Sequence, residues 1–164
     1  MYMRNFILLS AIPGSGKSTW AKQYAEKHPN TYIVSSDEIR STHFKSVNDF
    51  SHENDTWRIF LEEIHDKGKE DDVTVIADST NLTNEYRKYY AIQTPEFDHH
   101  TLVMFQIPYE ICQKQNQLRK GARVVPQYAM DRMKEQFEDP SEEVLRLYDE
   151  TITVGEEFVS ELIK

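Results

Sequence analysis

The chain has 164 residues, with 28 Asp and Glu against 19 Lys and Arg, giving a formal net charge of −9. That length suggests a single domain over residues 1–164, with enough buried surface to need no staples. Its 38% hydrophobic and 29% charged residues suit a folded globular chain rather than a disordered one. The acidic balance argues against a protein that coats nucleic acid through bulk charge, but it leaves room for a small phosphate site.

Cys112 is the single cysteine, so no internal disulfide can form and no disulfide-linked partner is expected; this fits a reducing, cytoplasmic setting. No stretch approaches the ~18 apolar residues of a membrane helix, so no membrane association is expected. The N-terminal apolar run, Phe6 to Leu9, is followed by Pro and Gly without a small-residue cleavage site, and reads as a buried strand rather than a signal peptide.

Taken in order, strands and helices alternate. Phe6 to Ala11 predicts a buried parallel strand and Lys17 to His28 a helix that stops before Pro29. Thr31 to Val34 is a second strand, Ser35 to Glu38 opens a helical turn, and His43 to Glu53 reads as loop. Asp55 to Lys67 is amphipathic, with Trp57, Phe60, Leu61 and Ile64 on one face, and Gly68 ends it. Val73 to Ala77 is a third strand, Asn84 to Gln93 a helix, Thr101 to Ile107 a fourth strand and Tyr109 to Leu118 a helix. A basic linker follows, Pro126 starts the next helix, Thr151 to Val154 is a possible fifth strand, and Glu156 to Ile163 a last helix. Alternating βα units of this size imply an α/β fold, a parallel sheet with helices on both faces.

The turn after the first strand reads Ala11-Ile-Pro-Gly-Ser-Gly-Lys-Ser18, a P-loop pattern with Ala in place of the first Gly. Gly14 and Gly16 allow a tight turn whose N–H groups face a polyphosphate, and the following helix adds its positive dipole end. Pro13, Gly14, Ser15, Gly16, Lys17, Ser18 and Thr19 are therefore the candidate nucleotide-binding residues. Lys17 would reach the β- and γ-phosphates, and the Ser18 hydroxyl would ligate Mg²⁺. No Asn-Lys-x-Asp run reads a guanine base, and the chain is too short for a helicase or transport engine, so a phosphotransferase that uses ATP fits better than either.

Phosphoryl transfer to a hydroxyl needs a carboxylate to orient it and take its proton. Asp37 and Asp78 each sit just beyond a strand, where α/β sheets bind ligands. Helix capping alone accounts for Ser35 and Glu38, but not for Asp37 with Arg40 three residues on, which share a helical face and suit an acceptor hydroxyl and its neighbouring phosphate or carboxylate. Asp78 reads equally as a turn or cap residue and as an acid that holds Mg²⁺ or contacts the acceptor, and Asn81 suits backbone or substrate alike. In the linker, an arginine of a closing lid (about residues 119–125) would neutralise charge developing in transfer, with Gly121 as a hinge. The six histidines show no metal-ligand spacing.

Together these segments resemble the phage-type polynucleotide 5′-hydroxyl kinase domain, a P-loop kinase family. Ile12 to Ala21 resembles its P-loop, Ser36 to Arg40 its general-base segment, Asp78-Ser-Thr-Asn-Leu82 its acid-x-Thr-Asn-Leu segment, and Lys114 to Arg119 the start of its lid. Val125-Pro126 and Phe137-Glu-Asp-Pro140 recur in related P-loop kinases, so the likeness spans about residues 5–140. The resemblance implies a three-layer P-loop NTPase fold with strand order 2-3-1-4-5. It implies Asp37 as general base, Arg40 on the acceptor phosphate, Lys17 and Arg119 on the transferring group, and Ser18 on Mg²⁺. Because the lid is offset by about one residue, Lys120 and Arg123 compete with Arg119 for the phosphate role. The expected site is then Asp37, Lys17 and Arg119 for catalysis, the P-loop with Arg119 and Arg123 for the nucleotide, Asp37, Arg40, Asp78 and Asn81 for the acceptor, and Ser18 and Asp78 for the metal.

The expected function is transfer of the γ-phosphate of ATP to a hydroxyl, foremost the 5′-hydroxyl end of DNA or RNA. A kinase of a small metabolite, nucleoside or sugar and a nucleotide-binding switch without phosphotransfer are the alternatives. The charge divides in a way that suits an end-gripping enzyme. Residues 135–164 carry ten acids against two bases, whereas Lys114 to Lys134 carry six bases against one acid.

Overall fold

A computed structural model describes residues 3–163, with side chains through Val159. The elements are β1 (Asn5–Ser10), α1 (Lys17–Lys27), β2 (Thr31–Ser35), α2 (Ser36–His43), α3 (Glu53–Lys67), β3 (Thr74–Asp78), α4 (Asn84–Gln93), β4 (His99–Phe105), α5 (Tyr109–Leu118), a 3₁₀ turn (Gly121–Arg123), α6 (Gln127–Gln136), α7 (Glu142–Leu147), β5 (Glu150–Val154) and α8 (Glu156–Ile163). The five strands form one sheet in the order β2-β3-β1-β4-β5, and every neighbouring pair is parallel. This is the P-loop NTPase kinase fold, with β1 at the centre.

The two-residue period of the strands divides the core. Phe6 and Leu8 of β1, Val75 and Ala77 of β3, and Leu102 and Met104 of β4 face Phe60 and Ile64 of α3, Tyr90 of α4 and Val144 of α7. Ile7, Leu9, Ile76, Val103 and Phe105 face the other way, onto Ala21 of α1 with Trp20, Tyr24 and Phe158 packed around them. Each fully buried side chain of this size contributes about 1.5–3 kcal/mol, which is why near-continuous apolar strands are stable only when covered on both faces. A third, smaller cluster of Ile12, Leu82, Cys112 and Met130 lies beneath the P-loop and ties it to α5 and α6.

Most expected elements are present with ends shifted by a residue or two. The fourth strand is displaced toward the N-terminus, to His99–Phe105. The helix after β2 runs eight residues rather than one turn, its start capped by the Ser35 hydroxyl, which accepts from Glu38 N at 3.3 Å. Helix α7 was not anticipated. Six residues are too few to show a period; its signals are Ser141, whose hydroxyl accepts from Val144 N at 3.2 Å, and the acids Glu142 and Glu143 in its first turn. No helix among the described residues is long and apolar enough to cross a membrane.

Candidate active site

The chain leaves β1 through a backbone bond from Ala11 N to Thr80 O of 2.8 Å and then turns on two left-handed glycines, Gly14 (φ +85°) and Gly16 (φ +84°). At Gly14 both backbone conformation and space demand glycine: a Cβ there would lie 2.2 Å from the Cys112 carbonyl oxygen of α5. Ser15 is buried and its hydroxyl donates to Ile12 O at 2.8 Å, so it closes the loop on itself and offers a ligand its backbone N–H rather than its side chain. Gly16 is the N-cap of α1, which leaves the helix's first N–H groups open toward the cleft.

Lys17 and Ser18 converge on the end of β3. Lys17 Nζ is 3.2 Å from Asp78 Oδ1, and the Ser18 hydroxyl donates to Asp78 Oδ2 at 3.0 Å. The lysine and aspartate side chains are 11% and 4% exposed. Among the described residues, Asp78 Oδ1 is the one buried side-chain polar atom with no directed hydrogen bond. An anionic oxygen with spare lone pairs beside a serine hydroxyl is the donor set a Mg²⁺ ion takes in P-loop enzymes, so these two residues fit the metal.

A cleft of about 200 Å³ opens on the P-loop, lined by Gly14, Gly16, Lys17, Ser18, Thr19, Gln115, Leu118 and Arg119. Arg119 is thus the residue of the 119–125 segment that lines this cleft. Burial pushes its guanidinium below the usual range, as does neighbouring Arg123, while the Asp37 and Asp78 carboxylates oppose this. It remains a cation, as arginine does in proteins. Arg123 and Lys120 are exposed and do not line the cleft; Arg123 lends only its carbonyl, which accepts from Arg119 Nη1 at 3.4 Å. Arg123, expected with Arg119 at the nucleotide, lies in the exposed 3₁₀ turn next to it. The base of the lid is clamped by buried Asn116, whose amide donates to Val125 O at 2.7 Å and accepts from Val125 N at 2.9 Å.

Beyond β2, Asp37 lies in the first turn of α2 and is half-exposed. Arg40 Nη1 donates to Asp37 Oδ1 at 2.9 Å. Its Nε and Nη2 donate to Glu53 Oε2 and Oε1 at 3.1 and 2.7 Å, a two-pronged pair with the first residue of α3. The guanidinium is covered by the Phe50 ring at 4.6 Å and the Trp57 ring at 5.5 Å. Arg40 is thus buried and engaged, where the sequence suggested a residue open to substrate. The loop between α2 and α3 is pinned by Asp49, whose carboxyl is held down to about 2 by bonds from the Ser51 hydroxyl and from the Lys45 and Ser51 amides.

Two further expected site residues are buried. Asn81 is buried, in a left-handed conformation (φ +43°), and its amide donates to Leu9 O at 2.8 Å. It staples the loop after β3 to β1. Asp78 is buried, with its carboxylate against Lys17 and Ser18. Pro13 is buried in the loop wall, and Thr19 lines the cleft as expected. Trp20 packs partly buried on Tyr24 and Phe105.

An AAA domain model matches residues 7–140. The chain belongs to the AAA domain family. Within that family's span lie the P-loop, Asp37, Asp78 and the lid. The fold is similar to that of a chain in the Pnkp1/Rnl/Hen1 RNA repair complex, with 20% identity and a TM-score of 0.73 over 91% of this chain and 47% of that one. Another structure of the Pnkp1/Rnl/Hen1 complex gives 22% identity and a TM-score of 0.62 over 78% and 42%. A gluconokinase from Sinorhizobium meliloti 1021 gives 19% identity and a TM-score of 0.61 over 94% and 84%. The AAA domain chain therefore spans less than half the length of the Pnkp1/Rnl/Hen1 chains it matches, and its likeness to all three is one of fold.

Sequence reasoning missed three residues that build this AAA domain site. Glu53 lies in the stretch read as loop, and Asn116 carries no local signal that marks a clamp. Arg87 lies on a helix whose pattern suggests exposure, yet it is wholly buried, with Nε on the Ser10 hydroxyl at 3.1 Å, Nη1 on Asn84 Oδ1 at 2.9 Å and Nη2 on Leu82 O at 3.0 Å. It holds the end of β1 against the loop that follows Asp78.

Proposed function

We propose that this AAA domain is an ATP-dependent phosphotransferase that moves the γ-phosphoryl group to a hydroxyl, foremost the 5′-hydroxyl end of a polynucleotide. The observation that carries this reading is that Arg119 feels two carboxylates with different settings: Asp78, buried against Lys17 and Ser18, and Asp37, half-exposed and paired with Arg40. The first setting supports a metal-holding role and the second a proton-accepting one.

In this reading the P-loop amides, Lys17 and the α1 N-terminus hold the ATP phosphates, and Arg119 closes on the transferring group. Ser18 and Asp78 would hold Mg²⁺, which supplies charge neutralisation on the phosphate oxygens. Asp37 accepts the acceptor's hydroxyl proton as its oxygen forms a bond to the γ-phosphorus and the bond to the β–γ bridging oxygen breaks, leaving ADP. The acidity concentrated at the C-terminal end leaves the lid region basic, which suits a grip on one strand end.

A second reading, a kinase of a small hydroxyl compound, is favoured by one observation. Arg40, the residue suited to an acceptor phosphate, already has its Nε/Nη2 edge on Glu53. The test is incubation with γ-labelled ATP and 5′-hydroxyl DNA, 5′-hydroxyl RNA, nucleosides and small sugars. Labelled oligonucleotide supports the first reading and labelled sugar or nucleoside alone the second. ATP hydrolysis with no labelled acceptor contradicts both and leaves a nucleotide-dependent switch.

A further inference from the structure

We propose that Glu53 sets acceptor specificity by competing with an acceptor phosphate for Arg40. The inference rests on reading α2 as the acceptor side of a phosphotransferase. A guanidinium presents a two-pronged edge, Nε with Nη2, that matches one oxyanion at a time. Glu53 holds both donors of that edge at 3.1 and 2.7 Å, and Asp37 holds a donor of Nη1 at 2.9 Å. Phe50 and Trp57 cover the guanidinium, whose side chain is 6% exposed, so a phosphate has no second broad approach. Two carboxylates against one guanidinium also leave the cluster formally negative, which repels an anion beside the acceptor hydroxyl.

Glu53 is 32% exposed at the start of α3, next to the loop of residues 44–52, and is the member of the cluster that can yield to solvent. An acceptor phosphate binds by displacing it, and the displacement is charged against affinity. A hydroxyl compound with no phosphate leaves the Glu53–Arg40 pair in place. Glu53 is in this sense a positioning residue that acts through Arg40.

The test is calorimetric binding of a nucleoside and of the same nucleoside 3′-monophosphate to the wild-type chain and to Glu53→Gln, with thermal unfolding of both. The wild-type chain should prefer the 3′-monophosphate by less than about threefold, and the variant, its Arg40 edge released, by about tenfold more than the wild type does, as a charge-assisted two-pronged contact implies. Should Glu53→Gln not fold, Glu53→Asp, which keeps the charge but shortens the reach, should move the ratio in the same direction by less. A ratio unchanged in whichever variant folds overturns the proposal, because a merely structural Glu53 lowers the melting temperature without moving it. A shifted ratio in a chain that labels no acceptor overturns the phosphotransferase reading and leaves the competition standing. Absence of binding to either compound overturns both.

Discussion

Lys17 Nζ lies 3.2 Å from Asp78 Oδ1, joining the first residue of α1 to the last residue of β3. The contact follows from topology. Strands β1 and β3 are parallel neighbours with Leu8 opposite Ala77, so the turn that leaves β1 passes over the end of β3. The carboxylate holds the lysine here, and in the proposed function ATP phosphates and a metal ion would take over the two partners.

Asp78→Asn should therefore weaken the fold and the site together. It removes the charge that balances a nearly buried ammonium, a change that costs about 3–5 kcal/mol in buried pairs. Denaturant unfolding should show a loss of that order, and Mg·ATP should stabilise the variant less than it stabilises the wild type. Unchanged stability with unchanged response to Mg·ATP would contradict the assignment.

The two glycines of the site should respond differently to alanine. Gly14→Ala drives a Cβ to 2.2 Å from the Cys112 carbonyl at a positive φ, and should destabilise by at least about 3 kcal/mol with loss of ATP binding. Gly121 has φ +60° and nothing within 4 Å, so Gly121→Ala should cost only about 1 kcal/mol of backbone strain. Thermal unfolding of the pair checks the contrast.

Lid arginines separate in the same way. Arg119→Ala should lower kcat by about 10³-fold or more, with acceptor KM little changed. Arg123→Ala should lower it by less than about tenfold, since Arg123 contributes a backbone carbonyl rather than its guanidinium. Steady-state kinetics of both decide which residue closes on the phosphates, and a larger loss for Arg123→Ala would reverse the roles.

Cys112 is buried, and burial pushes its thiol up to about 12, with Arg119 opposing the shift. It should resist thiol reagents at pH 8 in the folded chain and react at once in denaturant. In the unfolded chain the thiol titrates near 8.5. The unfolded state then loses its proton first, so this group's contribution to stability is full below about pH 8.5 and falls as pH rises from there toward 12. Alkylation rates and unfolding across that range check both statements.

Much of this was legible in the sequence wherever chemistry is local. The P-loop is one contiguous segment whose two glycines both take positive φ, and Asp78 stands out because it ends a buried strand, though the sequence leaves its role open between a turn and a ligand. The strand order came from resemblance, because periodicity marks strands without ordering them. What could not be read depends on contacts between distant segments. Arg40 and Asp37 are three residues apart and their pairing follows from helix geometry, but Glu53 meets Arg40 across a loop with no period. Arg87 looks like a surface residue until Ser10, Leu82 and Asn84 are folded around it. Asn81 has the donors for a substrate or a backbone, and only the left-handed turn at that position shows that Leu9 takes them.

The central claim is that Asp37 takes the acceptor proton while Lys17, Ser18 and Asp78 hold the nucleotide. Its most direct test is single-turnover transfer from γ-labelled ATP by Asp37→Asn, paired with ATP affinity measured on the same protein. The account predicts transfer slowed by about 10²–10⁴-fold with ATP affinity within about twofold of the wild type. Transfer at the wild-type rate, or a loss of ATP binding equal to the loss of transfer, would contradict it.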